Sequence, residues 1–149
     1  MRRILTLFIA VLITIVCIGR TVRIYQSQNQ YSSNIVATWD GTHLYHGSDT
    51  YHSSIMKTVT GGYVYDGPNT YRSNIVLSYD RSHIYSGPYK YRSNIVITYS
   101  NRYIYDGPYT YSSNKLRKIQ GHKLYDKNGY NCIMSADGNI PWYVWALFI

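Results

Sequence analysis

The side chains of this 149-residue sequence that could do chemistry are five histidines, two cysteines, seven aspartates and nineteen tyrosines. Histidine, cysteine and aspartate hold metals or move protons when their spacing brings them together. Here the spacing argues otherwise. His43 and His83 fall at one position of an internal repeat where other copies carry Tyr63, Tyr103 and Lys123. A metal ligand or a catalytic base is not replaced so freely, so both read as surface strand residues. His46, His52 and His122 have no ligand spacing with cysteine or aspartate, and there is no Cys-x-x-Cys, phosphate-binding glycine loop or Ser/His/Asp pattern. All seven acids are aspartates recurring at turn positions, where Asp is at home, and there is no glutamate. Ser33, Ser53, Ser73, Ser93 and Ser113 read as loop-edge residues that satisfy local backbone groups. The expectation is a protein with no catalytic, cofactor-binding or metal-ligating residue. A small enzyme with its site at a channel mouth is the least favoured alternative.

What remains is binding. Tyr25, Tyr45, Tyr65, Tyr85, Tyr105 and Tyr125 form one ladder, and Tyr31, Tyr51, Tyr71, Tyr91 and Tyr111 a second. Tyrosine at a fixed repeat position either stacks on its neighbours with its hydroxyl to water or backbone, or forms an amphipathic rim for lipid or sugar. The candidate rim comprises the first ladder with Arg72, Arg92, Arg102, Trp142 and Trp145.

These residues are carried by a repeat of 20 residues without gaps, five copies beginning at Tyr31, Tyr51, Tyr71, Tyr91 and Tyr111. Half a copy precedes them, Arg23-Ile24-Tyr25 matching His83-Ile84-Tyr85, and half a copy follows, Asn131 to Gly138 matching Asn34 to Gly41. Each copy predicts two short strands. Strand A is Asn-Ile-Val-x-Thr-aromatic, as in 74–79, and strand B is x-Ile-Tyr, as in 83–85. Asp40-Gly41, Gly61-Gly62, Asp80-Arg81, Ser100-Asn101 and Gly121 make the hairpin turns. Asp-Gly-Pro, as in 66–68 and 106–108, ends strand B, because proline removes a donor that a continuing strand needs. Alternation assigns two unbroken apolar columns to the core: Val36, Met56, Val76, Val96 and Leu116, with Ile24, Leu44, Val64, Ile84, Ile104 and Leu124. The column beside the first, Ala37, Lys57, Leu77, Ile97 and Arg117, admits charge and is expected to reach solvent or membrane headgroups.

The recurrent Asn-Ile-Val-x-Thr-Tyr, Ile-Tyr and Gly-Pro elements, clearest in 71–110, resemble the 4-fold beta flower family of bacterial proteins. The resemblance spans residues 23 to about 140. It implies an all-β fold, a shallow, roughly symmetric barrel of radiating 20-residue hairpins around a central apolar channel, often with a hydrophobic segment at one end. It implies no biochemical function. Fourfold symmetry sits awkwardly with five full copies and two halves: either the unit groups differently or the terminal copies are caps. Choline-binding wall repeats share the glycine-aromatic rhythm but lean on paired tryptophans, and Trp39 is the single tryptophan in these repeats.

Residues 4–19 carry no charge, sixteen residues, or about 24 Å as a helix. With arginines snorkelling at both ends they suit a transmembrane helix, and no A-x-A-like site follows to suggest cleavage. Val16 before Cys17 argues against lipidation there, and Cys132 lies in a different environment, so no disulfide is expected. The predicted organisation is an anchor, or alternatively a signal segment, at 1–22, a repeat domain at 23–139 and an apolar tail at 140–149 that caps the repeat core or touches a membrane interface. The tail's start, in register with Leu44-Tyr45, reads as a last degenerate strand B. The net charge is +8, a modest excess that suits an anionic membrane surface or wall polymer. The expectation is a membrane-anchored scaffold of the bacterial envelope with its repeat domain outside the cytoplasm. Membrane lipid is the expected partner, a wall glycan the alternative, and nucleic acid is not expected.

Overall fold

The computed structural model describes residues 19–149. The anchor expected at 1–22 therefore lies outside the described residues except for its last four, of which Val22 opens the first strand. Among the described residues no helix is long and apolar enough to cross a membrane.

The β-branched and aromatic runs of the repeat form twelve strands: β1 (Val22–Tyr25), β2 (Ile35–Trp39), β3 (His43–His46), β4 (Ile55–Thr60), β5 (Tyr63–Asp66), β6 (Ile75–Tyr79), β7 (His83–Ser86), β8 (Ile95–Ser100), β9 (Tyr103–Asp106), β10 (Lys115–Gln120), β11 (Lys123–Tyr125) and β12 (Cys132–Ala136). Each pairs antiparallel with its chain neighbour, and β1 pairs with β12, so the sheet closes into a barrel and leaves no edge. The two half copies are the two strands of one hairpin. Ile24 lies opposite Ala136 and Tyr25 opposite Ser135, as Leu44 lies opposite Trp39 and Tyr45 opposite Thr38. The halves are thus not caps, and the ring has six hairpins where fourfold symmetry was expected.

The turns use two chemistries. In the first and third hairpins an aspartate closes a longer loop: Asp40 Oδ1 accepts from the Thr42 and His43 amides, and Asp80 Oδ1 from those of Ser82 and His83. The split sixth hairpin does the same across the chain ends, with the Arg23 amide donating to Asp137 Oδ1 at 2.8 Å. The second and fourth hairpins have two-residue turns with both central residues at positive φ, Gly61 and Gly62 (+61° and +83°) and Asn101 and Arg102 (+49° and +70°). At the opposite, loop end, each of five connections holds one turn of 3-10 helix, as at Arg72–Asn74.

The strand-B core column is as expected: Ile24, Leu44, Val64, Ile84, Ile104 and Leu124 are all at most 2% exposed. The strand-A assignment needs correction. Tyr45 pairs with Ile55 and Leu44 with Lys57, so Met56 is an extra residue in the ladder, and the same slip recurs at Val36, Val76, Val96, Leu116 and Ile133. Six equivalent β-bulges ring the barrel. A bulge turns two consecutive residues toward one face, so the Ala37, Lys57, Leu77, Ile97, Arg117 column lies opposite the strand-B core and the bulge column sits above it, toward the loop end. Ala37 is fully buried, while Val76 and Val96 remain 38% and 37% exposed.

The C-terminal tail fills the barrel. After β12 the chain crosses the turn end, and Pro141 caps a short helix α1 (Trp142–Trp145), continued by a 3-10 turn at Ala146–Phe148. Trp142 stacks on Tyr99 (4.9 Å) and Tyr143 on Tyr79 (4.2 Å). Val144 and Trp145 are wholly buried in the core. No strand forms at Trp142, because β1 already occupies the strand-B place beside β12. Burying a large apolar side chain is worth about 1.5–3 kcal/mol, so this plug is a major part of the core.

Candidate functional site

The plug enters from the turn end and stops short of the other. Ala146, Leu147, Phe148 and Ile149 form the inner wall of a cavity of about 670 Å³ at the loop end. Its outer wall is the bulge column, Met56, Val76, Val96 and Leu116, with Leu44, Leu77, Ile84 and Ile97 behind. The polar groups are few. Lys57 Nζ lies 2.6 Å from Asp66 Oδ1 across the second hairpin, and Asp106 joins the rim. Arg117 occupies the position of Lys57 three hairpins on, on the opposite side of a ring of six, and its Nη1 donates to the Leu116 carbonyl at 2.8 Å. An apolar cavity of this size with a few convergent polar groups has the general character of a small-ligand site.

The expected rim is not assembled as the sequence suggested. Tyr25, Tyr45, Tyr85 and Tyr105 are buried, at 6–7% exposure, and Tyr65 and Tyr125 are half-buried. They cover the outer face of the strands, where alternation puts them opposite the core column. Two of them complete the aspartate turns: the Tyr45 hydroxyl donates to Asp40 Oδ2 at 2.8 Å and that of Tyr85 to Asp80 Oδ2 at 2.6 Å. Burial, then the bond to and charge of Asp40, push the Tyr45 hydroxyl up to about 12. For Tyr85 the bond to Asp80 leads, with burial and charge, to about 12. Burial alone would raise the carboxyls of Asp40 and Asp80, but the donors converging on each outweigh it and hold both below the usual range. Trp145 is inside the barrel, and Trp142, half-buried at the turn end, is stacked on Tyr99. Arg102 is in a hairpin turn, at the end of the barrel opposite Arg72 and Arg92.

The exposed tyrosines are those of the second ladder together with Tyr89, Tyr109 and Tyr130. Tyr31, Tyr51, Tyr71, Tyr91 and Tyr111 are 61–68% exposed, each just before a 3-10 turn of the loop end. Tyr89 stacks on Tyr91 and Tyr109 on Tyr111, at 5.8 and 5.3 Å between centroids. Arg72 lies over Tyr89 and Arg92 over Tyr109, at 5.7 and 5.8 Å, and these pairs bridge adjacent loops. Among the described residues no three or more histidine, cysteine or acidic side chains gather as a metal site would need.

Both ends belong to one closed ring of six similar hairpins. The sequence matches 6-fold beta flower protein over residues 24–147. The chain belongs to this family. The 4-fold beta flower expected from the motif is therefore the right architecture with the wrong count. No curated protein and no solved structure matches the chain. A channel mouth was among the expectations; what the sequence did not assign is its wall, the bulge column of Met56, Val76, Val96 and Leu116. Its signal was present: Ile75-Val76-Leu77 and Ile95-Val96-Ile97 place three apolar residues in a row where strict alternation would place a polar one, which is consistent with an extra, bulged residue.

Proposed function

We propose that this beta flower protein is a non-catalytic binding scaffold, held at a bacterial membrane by its N-terminal apolar segment, that offers its loop end to an amphipathic ligand beyond that membrane. The observation that carries this reading is the difference between the two ends of the barrel. The chain enters at the turn end, where Gly19 lies beside the Asp40 carbonyl. That end is closed by turns and by the stacks of Trp142 and Tyr143. The apolar mouth and the exposed tyrosines are at the other end. An anchor in the apolar N-terminal segment would put the mouth on the side away from its own bilayer. The ligand's apolar part enters between Val76, Val96 and the plug, and its polar part meets Lys57, Asp66 and Asp106 at the rim.

A second reading, a wall glycan lying along the loops, is favoured by the paired Tyr89–Tyr91 and Tyr109–Tyr111 stacks, which offer flat apolar faces with polar edges. Residues 19–149, which hold every strand and the plug, serve for the test. A fluorescent long-chain carboxylate should bind this chain, and Val96→Arg, a change at a partly exposed position, should abolish binding without lowering Tm. Equal binding by the Val96→Arg protein would sink the mouth reading. Pelleting with purified cell wall that survives Val96→Arg but is lost in Tyr89→Ala/Tyr109→Ala would favour the glycan.

A further inference from the structure

The fifth hairpin breaks a pattern that the first four copies keep, with lysines at positions where the sixth carries Cys132 and Ser135. Strand A directs two residues to the outer face, on either side of its bulge. They are Ile35 and Thr38, Ile55 and Thr58, Ile75 and Ser78, Ile95 and Thr98 in the first four copies, and Lys115 and Lys118 in the fifth. Both lysines turn to the same ring: Lys115 Nζ lies 4.1 Å and Lys118 Nζ 5.8 Å from the centroid of Tyr103. The next connection is three residues shorter than the others, Asp126 to Cys132 against Asp106 to Lys115. It brings Lys127 and Asn128 to the same cleft, about 390 Å³, across from Ser112 and Ser113. Gly129 in that connection makes room for Lys118: a Cβ there would lie 2.8 Å from Lys118 Cδ.

The equivalent cleft two hairpins back, about 350 Å³, has Ile75 and Pro88 in place of Lys115 and Asn128. Its cation, Arg72, is already bonded through Nη2 to the Tyr89 hydroxyl at 3.1 Å. Among the described residues, neither Lys115 and Lys127 in the fifth cleft nor Lys118 beside it forms an ion pair. The nearby Asp126 is engaged by the Tyr130 amide and the Asn131 side chain. Like charges gathered without a counter-charge destabilise a sheet, and a local rule broken without compensation marks a functional site.

We infer that the cleft between the fifth and sixth hairpins binds a phosphate-type oxyanion, through Lys115, Lys127 and the Ser112 hydroxyl, with Lys118 beside the cleft on the same Tyr103 ring; the Ser113 hydroxyl donates to Asn114 Oδ1 at 3.2 Å. Two ammonium groups in the cleft, a third beside it and a hydroxyl suit the charge and the several acceptor oxygens of a phosphoester better than a single carboxylate. Tyr103 beneath the lysines gives an apolar floor for the group that carries the phosphate. The site lies on the outer face and does not depend on the mouth.

The test uses the full chain in neutral detergent micelles, titrated with inorganic phosphate, with glycerol phosphate and with phosphatidylglycerol doped into the micelles. Lys115→Ile/Lys118→Thr restores the residues that four and three other copies carry at these positions, so the fold should be kept, with Tm as the check. Phosphate and glycerol phosphate should bind the wild-type chain and bind the double variant at least tenfold more weakly. Lys127→Ala should weaken both by a smaller factor, and Val96→Arg should leave them unchanged. Lysine-dependent retention of the doped lipid above that of glycerol phosphate would assign the anion to a headgroup. The reverse order would assign it to a soluble phosphoester, and either supports the site. No phosphate binding, or equal binding by Lys115→Ile/Lys118→Thr, overturns the inference.

Discussion

Ser78 departs from its column in a way that can be put right. Thr38, Thr58 and Thr98 are buried, and each donates its hydroxyl to the carbonyl nine residues on, Gly47, Gly67 and Gly107, at 2.8, 2.8 and 2.7 Å. Ser78 stands at the same place, 0% exposed, and its hydroxyl has no hydrogen-bond partner among the described residues. The matching acceptor is the Gly87 carbonyl. A β-branched residue is stiff at χ1, and the three threonines use the rotamer that reaches the glycine. Ser78→Thr should therefore gain a buried methyl, about 0.8 kcal/mol, and pair a buried hydroxyl, about 1 kcal/mol net. Roughly 4 °C per kcal/mol for a domain of this size gives a rise in Tm of about 6–8 °C. Thermal unfolding of residues 19–149 followed by circular dichroism measures this. A urea titration should show a higher midpoint at unchanged slope. Thr58→Ser, the reverse exchange, should lose a comparable amount. A flat or lower Tm for Ser78→Thr would refute the argument that the six hairpins are packed to one pattern.

Trp145→Ala should cost about 3–5 kcal/mol by emptying the core, whereas Trp145→Phe should stay within about 1 kcal/mol, because the indole nitrogen is already buried without a partner among the described residues; urea unfolding separates the two. Gly138→Ala sets a Cβ 2.8 Å from Val22 Cγ2 and should cost about 1–3 kcal/mol, with faster amide exchange in β1 and β12 than in β6 and β7. The aspartate turns predict a dependence of Tm on pH with two arms. Asp40 and Asp80 have lowered pKa values, so their contribution is present above pH ~4 and is lost as the pH falls through the folded value. Tyr45 and Tyr85 are raised to about 12, so theirs is full below pH ~10 and is lost as the pH rises toward 12. Tyr45→Phe/Tyr85→Phe should shrink both arms.

Much of this architecture was legible in the residues. The period, the two strands, the turns and the strand-B core follow from β-branched columns and from glycine, aspartate and proline at fixed offsets. Three things were not. The ring count was hidden because the sixth hairpin is divided between Val22–Tyr25 and Cys132–Ala136, and local patterning does not reveal which distant strands pair. The strand-A core was misread because strict alternation has no place for an extra residue, and the bulge at Met56 and its equivalents shifts the inward face by one. The tryptophans of the tail suggested a membrane interface because an amphipathic aromatic suits both that and a core. Trp145 is inside because a ring of six hairpins encloses a space that their own side chains do not fill. For the candidate site, the tyrosine ladders were found but sorted wrongly. The ladder in the strands is buried by pairing with Thr38 and its equivalents, and the ladder in the loops is exposed.

Sixfold repetition itself bears on where function can lie. Whatever all six hairpins share is accounted for by closing the ring: the strand-B core column, the strand-A bulge and the outer-face tyrosine. Selectivity must come from what differs between copies. The departures are few and fall in two places. At the mouth, Lys57 and Arg117 interrupt an otherwise apolar inward column on opposite sides of the ring, with the plug's Phe148 and Ile149 between the walls. On the outer face, Lys115 and Lys118 interrupt the isoleucine and threonine columns beside a shortened loop. Both give a symmetric frame one distinguishable side. The two can be separated by restoring the consensus at each in turn. Lys57→Leu should alter only the apolar ligand's binding, and Lys115→Ile/Lys118→Thr only the anion's. If each change altered both, the two sites would be one continuous surface, and the assignment of separate ligands to mouth and face would fail.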